Sequence, residues 1–407
     1  MSRIMITVGT TIIGISIVQL ANGFLGTLVS MSAARAGFSP LVIGTILASY
    51  YGGYTLGAAT VGSVLQRVGH IRLFAALAGL VAASVALLPV FTSAPAWLLI
   101  RFVGGFGCAG LFITAESWLN GTSTSQNRGA VFAIYMVAAN AALGSGQFLL
   151  NLPFPGHFEL FSLAAALFCL ALVPVSLTRS AAPALPPSPR LRMKDLKRLA
   201  PVAFVGCAAS GLASSAFYSL IPAFAQTQNI PASSVAAYIA TAIFGGLVFQ
   251  IPVGKLSDRF DRRIVAAGVA SGLCVTALCL AVLPLGETVV FGFTFILGGF
   301  LTTIYPVCVA HANDRVEADK VVAVSGQLIL INGIASLLGP IVGTSFLGAA
   351  GIEGVFIFMG AVGGVFAAFA VWRYASIAGA EQKERSFLLL NERMSQPITH
   401  VAGEEGD

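Results

Sequence analysis

An arginine and a glutamate lie within one long apolar stretch of the sequence, where an ionisable side chain is costly. Arg101 comes near the start of the apolar run 96–119, and Glu116 comes near its end. A charge at the centre of a membrane-spanning helix costs roughly 2.5–3.5 kcal/mol on insertion scales, so such a residue faces a watery cavity or a polar partner. The planar guanidinium of Arg101 can bind an anionic or carbonyl-rich solute. The alternative is that Arg101 holds its own helix to its neighbours.

Glu116 is the one acidic residue that falls inside an apolar run, because we place the other acidic residues in loops, at outer helix ends or in the C-terminal tail. Intramembrane acids are the usual proton relays. The sequence therefore offers one proton-transfer group within the membrane and no carboxylate at the middle of a helix.

Two short polar loops between apolar runs share one spacing of residues. The second loop, 254–263, is heavily charged, and the first is 62–72. One offset of 192 residues pairs Gly62 with Gly254, Gln66 with Asp258 and Arg67 with Arg259. Because the chain has 407 residues, the two copies lie about half a chain apart. The spacing indicates an internal repeat, in which the second half of the molecule has the same organisation as the first.

The composition indicates a membrane protein, since 57% of the residues are hydrophobic and only 9% are charged. Soluble domains have about 45–50% apolar and about 25% charged residues. A span needs about 20 apolar residues, and the apolar runs do not alternate as barrel strands do. We predict an all-α membrane protein with twelve transmembrane helices in two six-helix halves. The twelve runs are 5–29, 41–64, 73–91, 96–119, 129–151, 158–178, 201–225, 234–254, 264–284, 287–311, 321–347 and 352–374.

The basic residues fall almost entirely on one side of these runs, which predicts that both termini are cytoplasmic. The net charge of +6 therefore reflects basic residues of the cytoplasmic loops, and no nucleic-acid partner is expected. The linker 179–199 combines several prolines with a basic segment that can lie on an anionic leaflet. We predict an N-terminal half 1–178, this linker, a C-terminal half 200–374 and a disordered cytoplasmic tail 375–407.

The two halves, the central basic linker and the charged loops resemble the major facilitator superfamily. The loop pattern of that family is Gly-x-x-x-Asp-Arg-x-Gly-x-Arg. The second loop follows it at Gly254, Asp258 and Arg259, whereas the first has Gln66 in place of the usual Asp. Finer features are similar to the YcaD-like bacterial branch of the family, some of whose neighbours are proposed riboflavin transporters. These features are Arg101-Phe102-Val103, Glu116-Ser117, Asn127-Arg128-Gly129, Tyr135-Met136, Tyr305-Pro306-Val307 and Gly339-Pro340.

The resemblance implies a central cavity lined by the first, fourth, seventh and tenth helices, to which we add amides of the fifth and eleventh. For each such residue, helix packing is the alternative role. The candidate substrate-binding residues are Asn22, Arg101, Asn140, Gln147, Tyr218, Tyr305 and Asn332. The candidate gating residues are Arg67, Arg72, Glu116, Asp258 and Arg259. In the family, an acid at the position of Glu116 pairs with arginines of the nearby loop, here Arg67 or Arg72; proton transfer is the alternative.

By this resemblance we expect a carrier that moves a small organic solute across a bacterial inner membrane by alternating access. A polar, nearly uncharged cavity favours a flat aromatic nutrient such as riboflavin. Uptake is favoured because the Gly-Pro element that antiporters carry in the fifth helix is replaced by Gly144-Ser145-Gly146. The alternatives are proton-coupled efflux of amphipathic compounds and a non-transporting sensor.

The sequence carries no catalytic motif, so we expect neither an enzyme nor a cofactor. The six cysteines lie in apolar runs without a Cys-x-x-Cys pair, which speaks against a zinc site or disulfide framework. The expected partners are the solute and the lipid bilayer, and the expected state is a monomer.

Overall fold

The computed structural model describes residues 2–123, 128–153, 158–177, 193–316 and 320–376, and all regular structure within these ranges is helical. The N-terminal part contains α1 (Ser2–Arg35), α2 (Pro40–Val68), α3 (His70–Leu87), α4 (Ala94–Thr122), α5 (Arg128–Gly146), a 3-10 helix (Gln147–Asn151), α6 (Phe158–Leu170) and α7 (Leu172–Ser176). The C-terminal part contains α8 (Met193–Leu199), α9 (Pro201–Thr227), α10 (Ala232–Arg259), α11 (Arg262–Val282), α12 (Glu287–Asn313) and α13 (Val321–Ser376).

The described helices account for the twelve predicted membrane crossings. Ten helical segments are long and apolar enough to cross a membrane. The longest of them, α13, is two helices, because the backbone leaves the helical region at Ala350 and at Gly351, which has a φ of 62°. The helix α2 lies outside the set of ten, yet it has 29 residues, as does α4, and it packs along α4. The predicted all-helical membrane fold is confirmed.

The helix boundaries follow from local chemistry at their ends. Pro40 and Pro201 lie in the first turns of α2 and α9. The N–H that proline lacks would have no hydrogen-bond acceptor within the helix at these positions. Gly69 separates α2 from α3 with a φ of 84°, a conformation that side chains disfavour. The carboxylate of Asp261 caps α11 by accepting a hydrogen bond of 2.8 Å from the backbone N–H of Arg263.

Buried apolar side chains form two clusters, one drawn mainly from α1–α7 and the other mainly from α8–α13. Large rings fill both, with Phe112 and Phe168 in the first and Phe217 and Phe366 in the second. The division of the chain at the linker 179–199 stays a prediction, since 178–192 lie outside the described residues. The predicted disordered tail also lies outside them from residue 377 onwards.

Two glycines bring α2 and α4 into backbone contact. A Cβ on Gly53 would overlap the carbonyl oxygen of Phe102, and a Cβ on Gly105 would overlap that of Tyr50. Glycine at such positions lets helix backbones approach closely, which substitutes for the hydrophobic effect that lipid does not provide. The register of α2 against α4 is therefore fixed at these two points, next to Tyr50 and Arg101.

The same pair of contacts recurs between α10 and α12. A Cβ on Gly245 would overlap the carbonyl oxygen of Phe295, and a Cβ on Gly298 would overlap that of Ala242. The step from Gly53 to Gly245 is 192 residues, the offset that relates the two polar loops. The internal repeat read from the loops thus extends to helix packing deep in the bundle.

Candidate functional site

A cavity lies between α2 of the N-terminal part and α9 and α13 of the C-terminal part. It holds about 470 Å³ of empty space, part of it open to solvent. Its walls are formed by Tyr50, Tyr51, Tyr54, Ser214, Ser215, Tyr218, Ile329, Asn332, Gly333 and Ser336. No acidic or basic side chain is among these residues.

Three tyrosines of α2 form one wall of the cavity. Positions 50, 51 and 54 share one face of a helix, because residues one and four apart lie within about 100° of each other around the axis. The ring centroids of Tyr50 and Tyr51 are 5.6 Å apart, and those of Tyr50 and Tyr54 are 6.2 Å apart. This wall therefore presents aromatic surface together with phenolic hydroxyl groups.

The facing wall supplies small polar groups from α9 and α13. The hydroxyl of Ser215 donates to the carbonyl oxygen of Gly211 at 2.6 Å, so its proton is used within the helix. The buried hydroxyl oxygen of Ser214 has no hydrogen-bond partner among the described residues. The amide nitrogen of Asn332 donates to the carbonyl oxygen of Cys207 at 3.1 Å, which fixes the side chain and aims its oxygen away from that bond. This wall offers a hydroxyl and an amide oxygen to a solute.

Arg101 lies one layer behind the tyrosine wall. Its guanidinium carbon is 4.5 Å from the centroid of the Tyr50 ring, and the side chain is 7% exposed. Its Nε atom has no hydrogen-bond partner within the described part of the chain. A guanidinium at this distance from a ring is a cation–π contact. The positive charge therefore reaches the cavity through the ring of Tyr50 rather than by direct exposure.

The structure brings two of the predicted substrate-binding residues, Tyr218 and Asn332, into the cavity wall. Asn22 and Tyr305 are buried, with 8% and 1% of their surface exposed, and they are not part of this wall. The amide of Asn140 donates to the carbonyl oxygen of Met136 in the preceding turn of its own helix, at 2.8 Å.

Gln147, also predicted to bind substrate, joins two helices instead. Its Oε1 atom accepts a hydrogen bond of 3.0 Å from the hydroxyl of Thr27, and its Nε2 atom donates to the carbonyl oxygen of Gly23. Both partners are on α1, and Gln147 opens the 3-10 helix after α5. The helix-packing alternative that the sequence left open describes this residue in the structure.

The tyrosines of α2 are the site residues that the sequence reasoning missed. The segment Tyr50-Tyr51-Gly52-Gly53-Tyr54 holds three of the eight tyrosines of the chain within five positions. This clustering is visible in the sequence and would have indicated an aromatic surface. It was missed because the second helix was not among those that the family resemblance assigns to the cavity.

The predicted gating residues differ in their surroundings. Glu116 is 2% exposed, and its Oε1 atom accepts a hydrogen bond of 3.0 Å from the hydroxyl of Tyr135. Arg67, Arg72 and Arg259 are exposed. The structure does not bring Arg67 or Arg72 to the buried carboxylate of Glu116, and the ion pairs within the described ranges include neither arginine.

Arg262, in the charged loop 254–263, makes several of the polar contacts there. Its Nε atom is 2.5 Å from Oδ2 of Asp314, and its Nη atoms reach Ser257 at 3.0 Å and Asp258 at 3.3 Å. Only 4% of Arg262 is exposed. This arginine therefore ties the end of α10, the start of α11 and the residue after α12 together.

Contacts between the N-terminal and C-terminal helices concentrate at one end of the bundle. There the hydroxyl of Ser30 donates to the carbonyl oxygen of Ser219, and Arg35 donates to the side-chain oxygen of Gln226 at 3.4 Å. These residues lie where α1 and α9 finish, opposite the ends from which those helices begin. Gly44, at the start of α2, packs there against the α13 backbone. The cavity is thus closed by helix contacts at this end, which we call the closed end.

Comparisons with known proteins agree with this architecture. The model of the Major Facilitator Superfamily matches residues 11–288 and, separately, 203–398. An uncharacterized MFS-type transporter of Enterobacter sp. (strain 638) is 30% identical over 329 residues, which cover 80% of this chain and 85% of the relative. The uncharacterized MFS-type transporter YcaD of Escherichia coli (strain K12 / DH10B) is 28% identical with the same coverage.

Solved structures of transporters share the fold at low sequence identity. The nucleoside transporter NupG has a TM-score of 0.71 at 14% identity and covers 91% of this chain and 100% of its own. A bacterial homolog to the human lysosomal transporter Spinster, in an inward-facing and occupied conformation, has a TM-score of 0.73 at 14% identity. That alignment covers 90% of this chain and 96% of the homolog.

Proposed function

We propose that this chain, which belongs to the Major Facilitator Superfamily and is a multi-pass membrane transporter, binds a flat, largely uncharged organic solute in the cavity between α2, α9 and α13. The observation that carries the proposal is the composition of the walls. One wall is aromatic, the facing wall is hydroxyl- and amide-bearing, and no ionised side chain lines either of them.

The walls suit an aromatic solute on energetic grounds. Ring pairs in offset or edge-to-face geometry contribute about 0.5–1.5 kcal/mol beyond their buried area. The free hydroxyl of Ser214 and the amide oxygen of Asn332 can pair with donors and acceptors on the rim of such a solute.

The same walls contain no ionised side chain that could pair with a strongly charged solute. A metal ion needs carboxylate, thiolate or imidazole ligands, and no group of His, Cys, Asp or Glu side chains among the described residues has the arrangement to hold one. A phosphate group would need direct donors from cationic side chains to offset its desolvation. Arg101 supplies positive potential from behind Tyr50, which suits an electron-rich ring or carbonyl group.

Alternating access follows from the asymmetry of the contacts between halves. In the described state α1 meets α9 and α2 meets α13 at the closed end. Rocking one half against the other around the cavity would separate these contacts and open the closed end to the solute. The hydrogen bonds lost there, from Ser30 and Arg35, are each worth about 0.5–1.5 kcal/mol net, so the two states can lie close in free energy.

We assign the direction as uptake and riboflavin as the first compound to test. The position where antiporters carry Gly-Pro is occupied here by Gly144, which packs closely against the ring of Phe244. With no carboxylate in the cavity wall, the carrier is a facilitator, or it couples through Glu116 or through the solute. The proposed setting is a bacterial inner membrane, with both termini cytoplasmic and a monomeric chain.

Proton-coupled efflux of amphipathic compounds is the second candidate, and one observation favours it. Glu116 is buried within α4 and hydrogen-bonded to Tyr135, so its carboxylate could exchange a proton as the halves move. The direction of transport separates the two candidates, and collapse of the proton gradient separates a facilitator from a proton-coupled carrier. Transport that persists without the gradient supports the facilitator, and transport that stops supports coupling through Glu116.

Riboflavin accumulation tests the proposal in cells that cannot synthesise the vitamin, with and without this chain. Growth at low vitamin should be rescued by the wild type and by Ser63→Ala, which changes an exposed serine of α2. Ser214→Ala, the same change in the cavity wall, and Tyr50→Ala should weaken uptake, whereas Tyr50→Phe should retain most of it. Absence of rescue by a correctly inserted wild type would eliminate riboflavin.

A binding screen on the purified chain tests the broader class. Thermal stabilisation by flat heteroaromatic compounds, lost in Tyr50→Ala, would support the cavity assignment with a different solute. Stabilisation by sugar phosphates instead would refute it.

A further inference from the structure

A group of arginines converges where α12 and α13 end, on the C-terminal side of the bundle and far from the cavity. Arg315 lies two residues after the end of α12, is half-buried, and donates to the carbonyl oxygen of Leu199 at 3.5 Å. Arg263, at the start of α11, donates to the carbonyl oxygen of Arg373 in α13 at 3.4 Å. Burial lowers the pKa of Arg315 and the positive charges of Arg263 and Arg373 lower it further, whereas the carboxylates of Asp261 and Asp314 raise it. Arg263 therefore reaches the end of α13, and Arg315 reaches the end of α8.

The acidic residues in this region are already engaged. Asp261 forms an ion pair with Arg263 at 2.8 Å, and Asp314 forms one with Arg262 at 2.5 Å. Within the described ranges, neither Arg315 nor Arg373 takes part in an ion pair. The carboxylates of Asp261 and Asp314 also act on Arg315, but each is already paired with another arginine. Like charges repel most strongly where water is scarce, so an additional anion would stabilise this arrangement.

The short helix α8 adds two further positive charges at the same place. Leu196 is fully buried and anchors α8 to the bundle, while Lys197 and Arg198 are exposed. The ammonium of Lys197 lies 6.0 Å from the ring centroid of Phe204 on α9. Since Arg315 contacts the carbonyl of Leu199 at the end of α8, the basic residues of α8 lie at the same end of the bundle as Arg315.

Exposed aromatic side chains mark the membrane depth of this surface. Trp372 is 57% exposed and Tyr374 is 44% exposed, and they flank Arg373 in the sequence. Exposed Trp and Tyr at the ends of membrane-spanning helices collect at the level of the lipid headgroups. A lipid presents its phosphate at the depth of Trp372 and Tyr374. Binding of a soluble phosphate compound would not require exposed aromatic side chains there.

We propose that Lys197, Arg198, Arg315 and Arg373, which we call the basic cluster, bind the phosphate group of an anionic phospholipid. The planar guanidinium fork matches phosphate oxygens in a bidentate geometry. Basic surfaces at the ends of membrane-spanning helices bind such headgroups. The bound lipid contacts the ends of α8, α12 and α13. Its phosphate neutralises positive charge of the basic cluster that the carboxylates of Asp261 and Asp314 do not.

Thermal unfolding and native mass spectrometry of the purified full-length chain test this proposal. The protein in neutral detergent is titrated with phosphatidylglycerol or cardiolipin and, in parallel, with zwitterionic phosphatidylethanolamine. We expect the anionic lipids to raise the unfolding temperature and to remain bound in the mass spectrometer. The double variant Arg315→Gln/Arg373→Gln should bind them about thirtyfold more weakly, from the loss of two cations that act on an anionic headgroup.

The matched control is Lys255→Gln, which removes one exposed positive charge at the end of α10, outside the basic cluster. It should keep the affinity and selectivity of the wild type. Equal effects of anionic and zwitterionic lipid on the wild type would overturn the proposal even if the double variant does not fold. Unchanged selectivity in the double variant would do the same. Protection by inorganic phosphate alone, without preference among lipids, would overturn the assignment to a lipid.

Discussion

A single methyl group at Gly44 is expected to shift the balance between the two states of the transporter. Gly44 lies near the start of α2 at the closed end. A Cβ added there would come within 2.9 Å of the carbonyl oxygen of Pro340 and would overlap the Thr344 hydroxyl on α13. The carbonyl belongs to the backbone and cannot turn away. The clash exists only while α2 and α13 touch, so it penalises the described state and spares the one in which the closed end has opened.

The magnitude follows from the cost of overpacking. One extra methyl group in a tightly packed contact costs about 1–3 kcal/mol. If the whole cost falls on one state, Gly44→Ala should favour opening of the closed end by about 5- to 150-fold. A shift of this size converts a minor population into one that distance measurements detect.

Spin labels can report the shift from exposed positions on either side of the closed end. Leu41 on α2 is 58% exposed, and Ile230 after α9 is 40% exposed. With cysteines introduced at these two positions in a background without native cysteines, the distance distribution should gain a longer component in Gly44→Ala. The control Gly26→Ala places the same methyl group on α1, where no atom lies within 4 Å, and should leave the distribution unchanged.

A second comparison separates opening from simple damage. A Cβ on Gly53 would overlap the Phe102 carbonyl oxygen within the N-terminal half, so Gly53→Ala should lower thermal stability without lengthening the label distance. If Gly44→Ala folds normally and its distances match the wild type, the closed end is not the contact that separates, and the mechanism argued above is wrong.

Three further predictions concern side chains with defined partners. Arg262→Met should lower the free energy of unfolding by about 3–5 kcal/mol, because it removes the ion pair with the Asp314 carboxylate, whose side chain is only 10% exposed. Arg259→Gln at an exposed position should change it by less than about 0.5 kcal/mol; chemical denaturation compares them. Gln147→Leu should cost about 0.6–2 kcal/mol through the lost helix-joining bonds, measured in the same way, and an unchanged stability would contradict the role given to this amide. Although burial raises the pKa of Asp261, hydrogen bonds from Arg263 hold it below its ordinary value. The resulting stability is present above about pH 4 and is lost as the pH falls through the lowered pKa, so Asp261→Asn should flatten the acid side of a plot of unfolding temperature against pH.

The fold was predictable because its signals are long and repeated. Twelve apolar runs and one offset of 192 residues are properties of composition and spacing. A prediction based on them does not depend on the role of any single side chain. The same offset relates the backbone contacts at Gly53 and Gly245, which the sequence analysis did not predict.

The site was less predictable because apolar runs do not say which face of a helix meets a cavity. An amide in lipid needs a partner. Gln147 pairs with two groups on α1, whereas Asn332 donates to a carbonyl oxygen on α9 and lines the cavity. Both residues look alike in the sequence. Which one meets a solute is decided by how the helices are rotated, and that is set by glycine contacts such as Gly105 against Tyr50.

The exposure of Arg67, Arg72 and Arg259 is what a gate should show in this state. Hydrogen bonds between the halves lie at the closed end, near Ser30 and Arg35, and the predicted gating residues lie at the opposite end. Groups that meet only when that opposite end closes must be apart while it is open, so their exposure does not argue against the role. The two copies of the loop differ in their contacts, because Arg262 ties the second copy to Asp314 after α12 while the first has Gln66 exposed in place of an acid. We predict that closure of this end brings the first copy against a second copy that Arg262 already ties to the residue after α12.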